Sequence, residues 1–146
     1  MAERRMSKSQ QYWIVVASKD HVVRGVTGGF MQANHGKEAP LKRMKPGDWV
    51  IFYSPKRELE GDEKLQTFMA IGQVSDDKIY QHYMSDTFVP FRRNVSFYDS
   101  REVPVQPLID DLSFIQTKKS WGYTFRFGFF EINKVDFERI RRRMLD

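Results

Sequence analysis

The stretch KPGDWVIFYSP, residues 45–55, combines a turn signal with an apolar run. Pro46 and Gly47 stand at the two central positions of a type II turn, where glycine supplies the positive φ. The run Trp49–Tyr53 is rich in β-forming residues, and Ser54-Pro55 is predicted to end it. The stretch therefore predicts a tight turn that opens into a buried β-strand.

Two further apolar runs are predicted to form strands of the same sheet. Residues 67–74 (TFMAIGQV) follow across a charged, solvated loop at 56–64, so this strand is expected to pair antiparallel with the first. Residues 12–17 (YWIVVA) form a short run of β-formers that is typical of a buried strand. We therefore expect strands to dominate the middle of the chain.

A helix is predicted directly after residue 17. Ser18 is its expected N-cap, and Gly28-Gly29 supplies a left-handed stop. Residues 30–33 are then expected to be extended, and 34–37 (NHGK) to form a turn. The apolar face of this helix is predicted to consist of Val22, Val23 and Val26.

The second half of the chain begins with an alternating pattern at residues 88–98, which predicts another strand. Arg93 falls on its apolar face, where an unpaired charge is very costly. We expect Arg93 to be paired, bulged outward or turned into a polar cavity.

Shorter elements follow this strand. An edge strand is predicted at 103–105, a helical turn at 107–109, and a basic loop with an aromatic tip at 118–122 (KKSWG). Asn133 precedes a final helix, in which Asp136 complements the N-terminal dipole. The apolar stripe of this helix is predicted to be Phe137, Ile140 and Met144.

Length and composition indicate one globular domain, residues 12–146, behind a flexible tail, residues 1–11. The order of elements predicts an α+β fold with a curved or barrel-like sheet and flanking helices. The chain has no cysteine and no apolar run long enough for a signal peptide or a membrane span, which favours the cytoplasm. A formal net charge of +5 favours polyanionic partners.

Several kinds of chemistry lack the residue patterns that they need. The glycines match neither a phosphate loop nor a dinucleotide fingerprint, and no serine stands in a nucleophile elbow. The histidines, His21, His35 and His82, lack the spacing of metal ligands. We therefore expect no metal, no cofactor and no conventional hydrolytic triad.

The segments YWIVVASKD, GGFMQANHGK, PLKRMKPGDWVIFYSP and FMAIGQV together resemble the EVE domain family of the PUA-like superfamily. The resemblance continues through FVPFRRNV, PLIDDLSFI and KKSWG to the C-terminal helix. It implies a small barrel-like sheet with helices packed around it and, through the related YTH domains, recognition of a modified base in an aromatic-lined pocket. The implied partner is nucleic acid, either RNA or DNA.

The similarity to YTH domains runs through Ser18, Asp20, Phe30 and His35-Gly36. Phe30 stands where YTH domains carry a tryptophan that forms one wall of the methylated-base cage, and phenylalanine offers a weaker π face. The sequence leaves the second wall open among Trp121, Tyr53, Tyr83 and Trp13. The predicted base pocket consists of Ser18, Phe30, His35, Tyr53, Ser54 and Trp121.

Basic residues near these segments are candidates for contact with flanking phosphates, which would fix position without reading sequence. Arg92 and Arg93 stand in the predicted strand, and Lys118-Lys119 adjoin Trp121. The predicted phosphate set is Lys19, Lys37, Arg92, Arg93, Lys118 and Lys119.

Two other functions remain open at this level. The PUA-like superfamily also contains small amidohydrolases that act on acylated nucleosides, in which Lys19 would share the chemistry with a carboxylate, Asp20 being the nearest. Alternatively, the chain is a protein-interaction domain. That function predicts no salt-dependent binding of oligonucleotides.

Overall fold

The computed structural model describes residues 10–146, and within them the chain forms a seven-stranded sheet. The predicted flexible tail falls mostly on residues 1–9, outside the described residues. The strands are β1 (Tyr12–Val16), β2 (Phe30–Met31), β3 (Trp49–Lys56), β4 (Lys64–Gln81), β5 (Phe91–Tyr98), β6 (Val103–Pro104) and β7 (Phe129–Ile132).

Helices flank this sheet. The α-helices are α1 (Lys19–Gly28), α2 (Glu38–Lys42) and α3 (Lys134–Leu145). Three short 3₁₀ helices span Gln106–Leu108, Lys118–Ser120 and Tyr123–Phe127. None of the helices in residues 10–146 combines the length and the apolar character that a bilayer crossing requires.

The strand order is β2-β5-β4-β3-β1-β7, with β6 paired to β4 outside this path. Strands β1 and β3 are parallel, and the other pairs are antiparallel. Register shifts between Phe52 and Tyr53 and between Val74 and Ile79 interrupt the pairing, and such bulges bend a sheet. The sheet is mixed and open, and the predicted PUA-like α+β fold is confirmed.

The two faces of the sheet carry separate cores. Alternate residues of a strand point to opposite faces, so Ile14 and Tyr53 face α3, whereas Trp13 and Phe52 face α1 and α2. We call these clusters the α3 core and the α1 core. Burial on both faces explains why the runs at β1 and β3 are apolar throughout instead of alternating.

Some predicted boundaries differ from the observed ones. Strand β3 continues through Ser54-Pro55 to Lys56, and β4 extends on both sides of the predicted 67–74. The predicted strand at 88–98 begins at Phe91, because residues 82–90 form an irregular connection, exposed from 82 to 89. Pro55 is tolerated because the register of β3 against β4 shifts between Ser54 and Lys56.

Helix α1 ends as predicted, with Gly29 at φ 74°. Its predicted apolar face is wrong in part, because Val22 is buried but Val23 and Val26 are exposed. The helix meets the sheet through Val22 and Gly25 instead. A side chain at Gly25 would collide with the carbonyl of Phe30, so glycine permits this close approach.

Helix α3 begins and packs as predicted. The Asn133 side chain accepts a hydrogen bond from the Asp136 backbone N–H at 2.8 Å. The predicted stripe of Phe137, Ile140 and Met144 is buried in the α3 core. Asp136 is itself buried, and its carboxylate accepts hydrogen bonds from the backbone and hydroxyl of Ser113.

Candidate functional site

A cavity of about 490 Å³ opens on the α1 side of the sheet, and we call it the Phe30 cavity. It lies where β1 and β3 end, beside Val16–Ser18 and Phe52–Lys56. Because these two strands are parallel, their carboxyl ends meet at the same edge, a usual place for ligand sites. Its volume is within the range of small-molecule sites.

Phe30 lies half-buried in the wall of this cavity. One face of its ring is covered by Arg92, whose guanidinium carbon lies 3.8 Å from the ring centroid. The Cδ2–Cε2 edge of the ring lies against Gly28, where an added Cβ would approach Cε2 to 2.5 Å. The ring is therefore held in place but is not sealed inside a core.

Arg92 is the most unusual polar group of the cavity wall, since it is only 8% exposed. Its Nε donates a hydrogen bond to Gln32 Oε1 at 2.8 Å, and Nη2 lies 3.6 Å from the Met84 sulfur. Among residues 10–146 it makes no ion pair with a carboxylate. Burial lowers the pKa of its guanidinium, which nevertheless stays charged in proteins.

The cavity wall is basic. Besides Arg92 it includes Arg24, Lys56 and Arg126, and no aspartate or glutamate of residues 10–146 lines it. Arg24 and Arg126 are exposed, and Arg24 pairs with Asp20 behind the wall at 3.3 Å. Such an excess of positive charge in a concave site attracts anions and groups that accept hydrogen bonds.

The Ser18 hydroxyl is available to a cavity ligand as a hydrogen-bond acceptor, because its proton is already donated to Asp20. This hydroxyl donates a hydrogen bond to Asp20 Oδ1 at 2.5 Å, and this bond lowers the pKa of the Asp20 carboxyl. Ser18 stands at the N-cap position of α1, but its side chain does not cap the helix. The predicted N-cap hydrogen bond is therefore absent from residues 10–146.

The turn at 34–36 forms another part of the wall. Asn34, His35 and Gly36 have φ angles of 46°, 63° and 83°, an arrangement that favours asparagine and glycine. The Gly36 carbonyl accepts a hydrogen bond from the Phe91 backbone N–H at 2.9 Å, which ties the turn to β5. His35 is held exposed at the cavity.

The structure brings together only part of the predicted base pocket. Ser18, Phe30 and His35 line the cavity. Tyr53 and Ser54 are buried elsewhere: Tyr53 stacks on Phe125 at 3.9 Å in the α3 core, and burial raises its pKa. Strand alternation accounts for Tyr53, since its neighbour Phe52 takes the side of β3 that faces the cavity.

Trp121 also lies outside the cavity wall. It packs against the α3 core, 6.4 Å from Phe125 in an edge-on contact. Phe125 separates the two regions, because it stacks on Tyr53 and also lines the cavity. Of the other candidates for a second wall, Trp13 is buried in the α1 core and Tyr83 is exposed without lining the cavity.

The predicted phosphate set is dispersed. Arg92 lines the cavity, and Lys37 is exposed directly after the Gly36 turn. Arg93 is buried, and its guanidinium donates to the carbonyls of Leu41, Met44 and Asp76 at 2.7, 2.7 and 2.9 Å. This answers the question that the sequence left open: Arg93 turns into a polar site where carbonyls accept from both terminal nitrogens, while its Nε has no partner among residues 10–146.

The remaining lysines also lie away from the cavity. Lys118 Nζ donates to the carbonyls of Ile109, Leu112 and Ile115, so it holds its own loop together. Lys119 is exposed beside it. Lys19 pairs with Glu102 at 3.3 Å beside a separate, smaller cavity of about 180 Å³, and Asp20 is engaged by Ser18 and Arg24.

Several wall residues were not anticipated from the sequence. Phe52, Met84, Phe88 and Phe125 supply the apolar surface, and Arg24 and Arg126 supply charge. Strand alternation would have identified Phe52 as the alternative to Tyr53. Met84 and Phe88 belong to an irregular connection and Phe125 to a 3₁₀ helix, so no periodic signal marks them.

No metal site is visible in the part of the chain that the structure describes. Residues 10–146 contain no group of three or more His, Cys, Asp or Glu side chains that could hold a metal ion.

The model of the EVE domain family matches residues 11–143 of this sequence. This chain belongs to the EVE domain family. A relative from Bacillus licheniformis named "UPF0310 protein in gntR 5'region" is 52% identical over 128 residues, which are 88% of this chain and 87% of that protein.

Solved structures similar to this EVE domain share its fold at low sequence identity. One is a hypothetical protein from Leishmania major, with a TM-score of 0.60, 11% identity and coverage of 94% of this chain and 96% of that one. Another is the YTH domain of a Zygosaccharomyces rouxii protein in complex with N6-methyladenosine RNA. Its TM-score is 0.61 at 14% identity, covering 94% of this chain and 88% of that chain.

Proposed function

We propose that this EVE domain binds nucleic acid and holds one modified or extruded base in the Phe30 cavity. The proposal rests on a cavity of about 490 Å³. Its wall contains an aromatic ring and a buried guanidinium, and no carboxylate of residues 10–146 lines it. A flat, uncharged ring that accepts hydrogen bonds suits such a wall. The YTH domain complexed with N6-methyladenosine RNA has a similar fold, which adds support by analogy.

The apolar side chains of the wall have the character of a stacking site. Phe30, Phe88 and Met84 line the cavity, and Phe88 and Met84 come from the exposed connection between β4 and β5. A base that leaves its stack recovers free energy on such surfaces, about 1–3 kcal/mol per base. Phe88 or Met84 would take the place of the second wall that the resemblance implies.

The exposed basic residues suit the backbone of the nucleic acid. Arg24 and Arg126 lie at the cavity with their side chains in solvent, and Lys37 lies next to the Gly36 turn. A strand that inserts one base keeps its phosphates outside, within reach of such side chains. Contacts of this type give affinity that falls as salt rises.

The test is a binding screen of the purified chain against single-stranded oligonucleotides that carry standard and modified bases, at several salt concentrations. Phe30→Ala should weaken binding by about 1–3 kcal/mol, the contribution of one stacking contact. Its thermal unfolding should change little, because the ring is only half-buried. A Phe30→Ala protein that no longer folds would support a structural role for the ring instead.

Phe97→Ala is the matched control. Phe97 is also half-buried, but it packs on Phe52 at 5.4 Å between ring centroids and does not line the cavity. This variant should lose stability and keep its affinity for oligonucleotides. If the wild-type chain shows no salt-dependent binding to any oligonucleotide, the proposal is wrong and a protein-interaction role is favoured.

A further inference from the structure

Arg92 and Arg93 are neighbours on β5, yet only Arg93 has both terminal nitrogens bonded to protein oxygens, while its Nε is enclosed without a partner among residues 10–146. The Arg93 guanidinium donates to three backbone carbonyls. Arg92 is almost as buried, but its one oxygen partner among the described residues is Gln32, bonded to Nε. Burying a guanidinium whose N–H groups lack acceptors is costly. The presence of Arg92 in a cavity wall therefore points to a ligand that supplies acceptors for its terminal nitrogens.

The donors of Arg92 that remain are the two terminal nitrogens. Nη1 has no partner among residues 10–146, and it is not one of the fully enclosed atoms without a hydrogen bond. Arg92 lines the cavity, so Nη1 is available to a ligand there. Nη2 contacts only the thioether sulfur of Met84, a weak acceptor that a ligand oxygen or nitrogen would displace readily.

The orientation of this guanidinium is set by its surroundings. The ring of Phe30 lies against one face at 3.8 Å, and Gln32 holds Nε at 2.8 Å. Phe30 lies in β2, and Gln32 follows directly after this strand. Arg92 therefore presents its two terminal N–H donors, Nη1 and Nη2, in a fixed planar arrangement, which we call a fork. It is not a mobile surface charge.

A fork of two donors requires two neighbouring acceptors on the ligand. Among the bases, guanine presents N7 and O6 side by side, and cytosine presents N3 and O2 side by side. Adenine places the N6 donor next to N7, and in uracil or thymine the N3–H donor separates O2 from O4, so neither carbonyl stands beside a second acceptor. With adenine, uracil or thymine, one N–H donor of Arg92 would therefore lack an acceptor or face another donor.

Resting on the proposed function, we propose that Arg92 makes the Phe30 cavity selective for a base with two adjacent hydrogen-bond acceptors, namely guanine or cytosine or a modified form of either that keeps that edge. N6-methyladenine lacks such an edge and binds no better than adenine. Arg92 acts on the base rather than on a phosphate, because its buried position lies inside the cavity while the strand backbone stays at the exposed cations Arg24 and Arg126.

The experiment uses thymidine oligonucleotides in which one central base is varied, with the full chain titrated by fluorescence anisotropy. Guanine or cytosine at the centre should bind about 5- to 150-fold more tightly than adenine, N6-methyladenine or thymine. Replacing the preferred base by 7-deazaguanine or 3-deazacytosine, each of which lacks one acceptor, should remove that advantage. The titrations with base analogues use the wild-type chain, so they do not depend on the folding of a variant.

Two substitutions of Arg92 separate its recognition of the base from the effect of its positive charge. Arg92→Lys keeps the positive charge but loses the planar fork, so the preference should disappear while the salt dependence of binding remains. Arg92→Met should also abolish the preference. Thermal unfolding of each variant provides the folding control.

The outcomes distinguish this inference from the function on which it rests. Binding that Phe30→Ala weakens but that shows no preference among the central bases would overturn the role of Arg92 and leave the reader function standing. Binding that is equal for all bases and is displaced by inorganic phosphate in wild type but not in Arg92→Met would identify Arg92 as a phosphate contact. Absence of oligonucleotide binding would overturn both.

Discussion

The Phe30 cavity and the α3 core are both rich in aromatic side chains, but their rings have different neighbours. In the α3 core Tyr53 stacks on Phe125 at 3.9 Å, and Phe68 meets Tyr53 at 5.4 Å between ring centroids. At the cavity, Phe30 meets a guanidinium on one face and borders open volume.

This difference separates a packing role from a binding role. Rings that fill one another's surroundings stabilise the fold, and their density leaves no room for a ligand. Phe30 borders a cavity beside Arg92, whose terminal nitrogens have no oxygen partner among residues 10–146. Both side chains can therefore still contact a ligand. The comparison predicts that substitutions in the α3 core change stability and that substitutions at the cavity change binding.

The largest expected effect belongs to the α3 core. Phe68 is fully buried there, so Phe68→Ala should lower the free energy of unfolding by about 3–5 kcal/mol through lost burial and the void left behind. Urea denaturation measures this. Below its unfolding transition the variant should bind oligonucleotides like the wild type, and a selective loss of affinity would break the comparison.

The second effect concerns the two neighbouring arginines. Arg93→Met would leave two buried carbonyls and one part-buried carbonyl without their donor and should lower the free energy of unfolding by about 2–3 kcal/mol. Arg92→Met removes a buried charge that lacks a carboxylate partner, so it should stay within about 1 kcal/mol of the wild type.

Paired urea denaturation curves measure this contrast between the arginines. Equal losses of stability in the two variants would show that Arg92 is a structural residue like Arg93.

The smallest effect is a repositioning of the Phe30 ring. A methyl group at Gly28 would stand 2.5 Å from Phe30 Cε2, so Gly28→Ala should displace the ring and weaken oligonucleotide binding by about fivefold to tenfold, part of one stacking contact. Its stability should change by less than about 1 kcal/mol.

The control for this substitution is Gly122→Ala, because apart from its two chain neighbours no heavy atom of residues 10–146 lies within 4 Å of a methyl group at Gly122. Its affinity should match that of the wild type. Unchanged affinity in Gly28→Ala would show that the ring position does not matter for binding.

The strands and helices were largely predictable because their signals are local. The turn at 46–47, the apolar runs at β1 and β3, the Gly29 stop and the Asn133 cap each depend on a few adjacent residues. The exposure of Val23 and Val26 was not predictable, because α1 approaches the sheet through Gly25 and not through its most apolar side.

The cavity was predictable only in part. Ser18, Phe30 and His35 were identified through the resemblance to YTH domains, and for Phe30 and Ser18 their positions after a helix stop and at a strand end gave a second reason. Tyr53 was predicted and Phe52 was not, and the apolar run could not correct this, because without alternation it does not tell which face of the sheet a residue takes. That choice depends on which helix packs on each face.

By itself, the sequence determined the type of each main element, the family and the excess of positive charge, since these follow from local chemistry and composition. Only the tertiary structure decided that Arg92 stacks on Phe30 in a cavity while Arg93 donates to buried carbonyls. The two residues are chemically identical and adjacent. Their different environments arise because successive side chains of a strand point in opposite directions and meet segments that are distant in sequence.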